Sequence, residues 1–364
     1  MSFIECYEPE YVRKFLARHP GSPLYVRKVW KNEIRLSLSL TDIASCEAVL
    51  NDVRAFDLQL TYRPVEDNSA ELSARDAIVN QVILSTLTLR DLTPELSLYA
   101  VGILLSCASK MPGRDGDILA RLTTLPQALA DHAKKGTLQA QYAQLPPVPQ
   151  LARQLMTLLG GCAFDWSILP ESPRKASLPL QVTLLTLHDA NSEALLQQQL
   201  QTQWQTTWQQ HFATAPWMMR NWLIYRVYHD MIGQTDGADY FPLVCDFYLL
   251  RTLISLWTLD GSPLRQEDIF ALFAMFERWR ASENALLVRQ QIQSLCAADP
   301  LLSAFSLLNV SRSARALPLT LTLSPKGRGD RSSTVLKSAL IFSLSLWERV
   351  GVRASARTFI TFTH

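Results

Sequence analysis

Close cysteine pairs are missing from this sequence. Its six cysteines, Cys6, Cys46, Cys107, Cys162, Cys245 and Cys296, lie 40 to 83 residues apart. That spacing excludes a disulfide scaffold and gives no zinc or iron-sulfur signature, so buried or free reduced thiols are expected. Long apolar runs are missing too. The longest uncharged stretches, 96–108 and 338–347, fall short of the ~20 residues a membrane-spanning helix needs, and no membrane span is expected. The opening carries Glu5, Glu8 and Glu10 where a secretion signal would have a basic start and an apolar core, which leads to the expectation of a cytoplasmic protein. With only 13 glycines there is no GxGxxG and no lysine-bearing phosphate loop, and Gly160-Gly161 follows a helical pattern instead of a strand. The six histidines show no HExxH or other paired spacing, so no metal site is expected. No GxSxG elbow or neighbouring Cys and His pair suggests a nucleophile.

What is present is apolar and helical. Of 364 residues 48% are hydrophobic and 19% charged, enough for one large domain or two ordinary ones, and too apolar for disorder. The net charge of +2 hides an uneven distribution. Residues 311–364 hold nine Lys/Arg and two acids, leaving the preceding body at −5, which argues against a nucleic-acid-binding body.

The pattern predicts a mainly α fold, a multi-helix globular body with a small two-stranded element near the N-terminus. A short helix is expected over 8–17. Strand-like alternation occupies 24–40, through Ile34, Leu36, Leu38 and Leu40, and recurs at Phe56, Leu58, Leu60 and Tyr62, with a helix from Asp42 to Val53 started by Thr41 between them. Helices follow from Ser73. Thr93-Pro94-Glu95 opens one that runs to about Lys110, and another spans 149–159. The proline-rich stretch 165–179 reads as a surface loop or a subdomain boundary. A helical stripe through Leu195, Leu196, Leu200, Trp204, Trp208 and Phe212 reads as core, and helices over 216–232, 241–258 and 265–297 complete the body. The organisation expected is an N-terminal segment 1–72, a helical body 73–310 and a basic tail 311–364.

Aromatic and polar residues are densest between Trp217 and Asp230, followed by Asp246, Tyr248 and Arg251. On a helix Asn221, Tyr225 and Tyr228 or His229 share a face, and rings beside a carboxylate suit a cationic or adenine-bearing ligand. An amphipathic hairpin whose arginines pair with Asp230 and Asp246 accounts for the same pattern and is the simpler reading. For a site, the candidates are Tyr225, Tyr228 and Asp230 as catalytic groups and Asn221 and Trp222 as substrate-binding groups.

Three segments carry a resemblance. The run from Tyr7 to Phe15, containing Glu8-Pro9-Glu10-Tyr11-Val12, looks like an "EP-x-aromatic-V-x-x-F" opening. Asn32-Glu33-Ile34-Arg35, followed by Ser37-Leu38-Ser39-Leu40, looks like "NE-x-R-x-SLSL", and Asn221-Trp222-Leu223-Ile224-Tyr225 resembles an "NYL-x-x-Y" helix. Together they make most of 1–308 similar to the flagellin lysine N-methylases known as FliB. The resemblance implies methylation of flagellin lysine side chains with S-adenosylmethionine as methyl donor, and flagellin as partner. It does not assign roles to the five candidates. The family's cysteine-rich segment does not appear between Phe15 and the Asn32 motif, and Thr41-Asp42-Ile43 stands where a Ser-Cys-Pro pattern belongs, so a family-type metal or iron-sulfur centre is not expected. The tail resembles peptide read through from an intergenic palindromic repeat and is expected to lie outside the family fold. A non-catalytic helical remnant that binds flagellin or serves as a protein-interaction module is the second reading.

Overall fold

The computed structural model describes residues 3–64, 70–111, 115–145, 149–187, 190–296 and 299–309. The tail expectation falls on 311–364, outside the described residues.

The chain begins with a strand, β1 (Phe3–Pro9), and then α1 (Glu10–Arg18), β2 (Tyr25–Val29), β3 (Glu33–Leu38), α2 (Ile43–Leu50) and β4 (Leu58–Pro64). These make a four-stranded sheet of order β2-β3-β1-β4, with β1 parallel to β3 and the other neighbours antiparallel. The expected two-stranded element is therefore corrected to four strands. The stretch 24–40 is two strands joined at Trp30–Asn32, and β1 supplies the strand that was not foreseen. Its alternation is short: Ile4 and Cys6 are buried while Phe3, Glu5 and Tyr7 face the other way. Asp42, and not Thr41, caps α2, accepting from the Ser45 amide at 2.7 Å.

The helical body follows: α3 (Ala74–Leu87), α4 (Pro94–Ser109), α5 (Asp115–Leu122), α6 (Leu125–Lys134), α7 (Thr137–Ala143) and α8 (Pro149–Gly160). The Thr93-Pro94 start of α4 is as expected, with Thr93 accepting from the Leu96 amide. The 165–179 loop is corrected. After a 3-10 turn at Trp166–Ile168, Ser172 caps α9 (Pro173–Leu184), because Ser-Pro supplies an N-cap and a proline whose missing N–H costs nothing in the first turn. Next come α10 (Ala190–Thr207), a π-helical turn at Trp208–Phe212, α11 (Trp217–Asp230) and α12 (Tyr240–Trp257). Leu195 departs from the expected core stripe and is exposed, whereas Leu200, Trp204 and Phe212 are buried. The single helix expected over 265–297 is two, α13 (Gln266–Arg280) and α14 (Glu283–Leu295), since Ser282 takes the Ala285 amide and starts a new helix. The last described helix is α15 (Pro300–Asn309).

The core centres on α12, which is buried on nearly every side, its sequence being mostly apolar with Asp246 and Arg251 as its charged residues. Helices α10, α13 and α15 pack around it. Gly102 lets α15 approach α4: a Cβ there would lie 2.5 Å from the Phe305 ring and 2.8 Å from the Tyr240 hydroxyl. Among the described residues no helix is long and apolar enough to cross a membrane.

Candidate functional site

The C-terminal end of α11 meets the sheet, α3, α12 and α13, and ionisable side chains converge there. Helix α11 stops at Met231, whose φ of 61° is left-handed, an unusual conformation for a side chain of this size. Asn80 of α3 holds that terminus. Its amide donates to the carbonyls of Val227 and Ile232 at 2.9 Å each and accepts from Arg35 Nη1 at 2.6 Å. Arg35 also pairs with Glu33, and its guanidinium lies 5.1 Å from the centre of the Tyr228 ring.

All five candidate residues lie on α11, and each has partners. Asn221 donates to the carbonyls of Val49 and Asp52, tying α11 to the end of α2. Trp222 is fully buried and donates its indole N–H to Glu277 Oε1 at 2.7 Å. The Tyr225 and Tyr228 hydroxyls donate to the carbonyls of Leu38 and Tyr7 at 2.9 and 3.1 Å, so both tyrosines fasten the sheet to α11. Asp230 Oδ2 receives Arg226 Nε and Arg280 Nη2 at 3.0 Å each. Its side chain is 30% exposed, the most open of the network.

Sequence reading named Asp246 but missed Glu277 and Arg280, which complete this network. Asp246 takes Arg226 at 2.8 Å and Arg280 at 3.0 Å, and Glu277 takes Arg280 at 2.7 Å. Arg226 keeps one buried nitrogen, Nη1, without an acceptor. Glu277 and Arg280 sit on the charged last turn of α13, after the apolar run Ile269–Phe276; that change was the available signal. Arg226 pairs with Asp230 and Asp246 as the simpler reading describes, but the second arginine, Arg280, comes from α13, outside that hairpin, and Arg251 pairs with Glu95 instead.

The electrostatics fix protonation states. Burial pushes the Tyr225 and Tyr228 hydroxyls well above the ordinary phenol value, so both are neutral donors at physiological pH. Burial alone would raise Asp230, but Arg226 and Arg280 outweigh it and hold the carboxyl well below the usual range. His229 is lowered to about 4, chiefly by burial; its Nδ1 lies 2.8 Å from Ser37 Oγ and its ring stacks on Tyr225. Burial also lowers Lys28, which bonds the His229 carbonyl. The result is an anionic carboxylate, already paired with two guanidiniums, beside a neutral imidazole.

A second polar centre lies further along α12, around Arg251. Glu95 receives the Trp204 indole at 2.7 Å and Arg251 at 3.5 Å, and the Arg251 guanidinium lies over Tyr248. Met156, Gln197, Leu200, Gln201, Tyr248, Arg251 and Ser255 line a cleft there of about 270 Å³, counting space open to solvent. Among the described residues no group of His, Cys, Asp or Glu has the geometry of a metal site.

The model of the FliB lysine N-methylase C-terminal domain matches residues 80–303, more than half of the chain. The chain belongs to the FliB lysine N-methylase family. The matched span begins at Asn80 and takes in both polar centres of this FliB-family chain, including α11, α12 and α13, while the sheet precedes it. No curated protein and no solved structure matches the chain.

Proposed function

We propose that this chain is a protein-lysine N-methyltransferase acting on flagellin with S-adenosylmethionine as donor. The observation that carries it is the family match across the helices that build the Asp230 network. A lysine ε-ammonium, with a free pKa of about 10.4, must lose its proton and be aligned before it can attack a methyl group. Asp230, anionic and partly open, is the group we assign to drawing the ammonium in. Tyr225 and Tyr228 set the sheet against α11, and Asn221 and Trp222 hold α11 to α2 and α13. S-adenosylmethionine would supply the electrophilic methyl. The cleft at Arg251 suits it in kind, with a guanidinium for the carboxylate and a tyrosine ring for the base, but not in size, since small-molecule sites span about 300–1,000 Å³. No step is therefore assigned through a bound donor.

A second reading is a flagellin-binding remnant without catalysis. What favours it is that both tyrosine hydroxyls and the Asp230 carboxylate are already engaged within the fold. Co-expression with flagellin tests both readings, using the intact mass of flagellin against flagellin alone and against flagellin made with a relative that carries the cysteine segment. Methyl increments lost in a folded Asp230→Asn variant support the enzyme. Unmodified flagellin that co-purifies with this chain, when the relative is active, supports the remnant.

A further inference from the structure

The sheet has an outer face that is covered on one side and bare on the other. The β1–β3 and β2–β3 registers put Glu33, Arg35, Ser37 and Lys28 on the same face as Glu5 and Tyr7. The β3 and β2 part of this face lies under the end of α11, where Lys28 and Ser37 meet His229 and Arg35 covers Tyr228. The β1–β4 register sets Tyr62 beside Glu5, Leu60 beside Tyr7 and Leu58 beside Pro9 on that face. Here the apolar groups are open to solvent: Phe3 and Tyr62 are each 62% exposed, Leu58 49% and Leu60 44%. Edge strands normally carry charge or proline on such a surface, and a run of large exposed apolar groups on one strand marks a contact surface.

The charge at its inner margin indicates what the surface takes. Glu5 and Glu33 are direct neighbours across β1 and β3, a like-charge pairing that works against the sheet. Glu33 has Arg35 as its counter-ion, whereas among the described residues Glu5 has only the Tyr7 hydroxyl and no cation. This carboxylate, with no cation among the described residues, ringed by Tyr7 and Tyr62 and bordered by leucines, fits an ammonium on an apolar stem. The Tyr228 hydroxyl bonds the Tyr7 carbonyl, so the surface adjoins the α11 end.

We propose that the bare face of β1 and β4 docks an extended, apolar, lysine-bearing segment of flagellin. The segment lies on Leu58, Leu60 and Tyr62 with a lysine directed at Glu5. This rests on the reading of flagellin as substrate and adds a binding surface that precedes the span matched by the family model.

The test titrates purified flagellin monomer, native or lysine-acetylated, into the full chain and two variants: a Leu58→Ser, Leu60→Ser, Tyr62→Ser triple, and Glu5→Gln. Melting curves and sedimentation accompany each. The triple variant is expected to bind both flagellin forms about tenfold more weakly with unchanged melting, because its side chains are exposed. Glu5→Gln is expected to weaken native flagellin several-fold, to leave the acetylated form unchanged, and to melt no lower than wild type, since it relieves the Glu5–Glu33 repulsion. Equal affinity of native flagellin for wild type and the triple overturns the surface, and so does no binding by wild type. A Glu5→Gln effect equal on both flagellin forms overturns the lysine assignment. A dimer that the triple variant dissociates, without flagellin binding, gives the surface to a second copy and also overturns the proposal. Flagellin masses from co-expression separate the two readings: stripe-dependent binding without methyl groups leaves the surface and removes the enzyme, whereas methylation and affinity that survive in the triple remove only the surface.

Discussion

The two polar centres on α12 use the same device. In one, the Trp222 indole donates to Glu277, which pairs with Arg280; in the other, the Trp204 indole donates to Glu95, which pairs with Arg251. An indole N–H, a carboxylate and a guanidinium satisfy one another inside an apolar core at little net gain, and their main effect is to demand one arrangement of the helices that carry them. Since the device occurs twice, it does not mark chemistry. What distinguishes the first centre is its extension. Arg226, Asp246 and Asp230 carry it to a partly open carboxylate, and Arg35, Asn80 and Ser37 join it to the sheet. The second centre ends in a small cleft.

Breaking each triad at its carboxylate sharpens that difference. Glu277→Ala strips Arg280 of one of its three carboxylates and leaves the Trp222 indole unpaired in the core, and is expected to cost about 3–5 kcal/mol in denaturant unfolding. Methylation of flagellin should fall further than the loss of folded protein explains, because Arg280 also holds Asp230. Glu95→Ala removes a longer pairing, 3.5 Å to Arg251, and about 3 kcal/mol is expected. Its effect on methylation per folded molecule should be nil. A Glu95→Ala enzyme that folds yet loses activity would move the functional centre to the Arg251 cleft.

The sequence made some of this readable and not the rest. The face shared by Asn221, Tyr225 and Tyr228 on α11, Thr93-Pro94 and the alternation through Ile34, Leu36 and Leu38 were legible because each is a local pattern, a period, a cap or an alternation. Strand β1 was not, since the buried Ile4 and Cys6 acquire meaning only through pairing with β3 and β4. The break between α13 and α14 was hidden by apolar periodicity that continues across Ser282. Asp230 was found by its neighbours in sequence. Glu277 and Arg280, nearly fifty residues on, meet it only through helix packing, and no spacing rule reaches that far.

His229 gives a titration that the second centre lacks. Its folded pKa of about 4 lies below the ordinary ~6.5, so the folded state binds fewer protons than the unfolded one between those values. Stability is therefore undiminished by His229 above about pH 6.5 and falls as pH drops toward 4, by at most ~3 kcal/mol. Asp230 works at lower pH, because its depressed carboxyl stabilises the fold above ~3.9 and loses that contribution as pH falls further. Unfolding free energies of wild type and His229→Asn across pH 4–7 check the assignment. The variant should show a shallower slope, with the part due to His132 and His211, which burial also lowers, remaining; an unchanged slope would place the titrating group elsewhere.

The smallest expected effect concerns the sheet. Tyr228→Phe deletes the hydroxyl that bonds the Tyr7 carbonyl while keeping the ring beneath Arg35, so about 1 kcal/mol of stability should be lost. Tyr225→Phe should cost a similar amount at Leu38. If the tyrosines position the sheet against α11, both variants keep methylation at saturating flagellin and need more flagellin to reach it, because a loosened sheet moves the β1–β4 surface relative to Asp230. A fall at saturation with the half-saturating concentration unchanged would instead make the hydroxyl a participant in transfer. Paired measurement of the two kinetic parameters therefore decides whether the two tyrosines hold the first centre together or act within it.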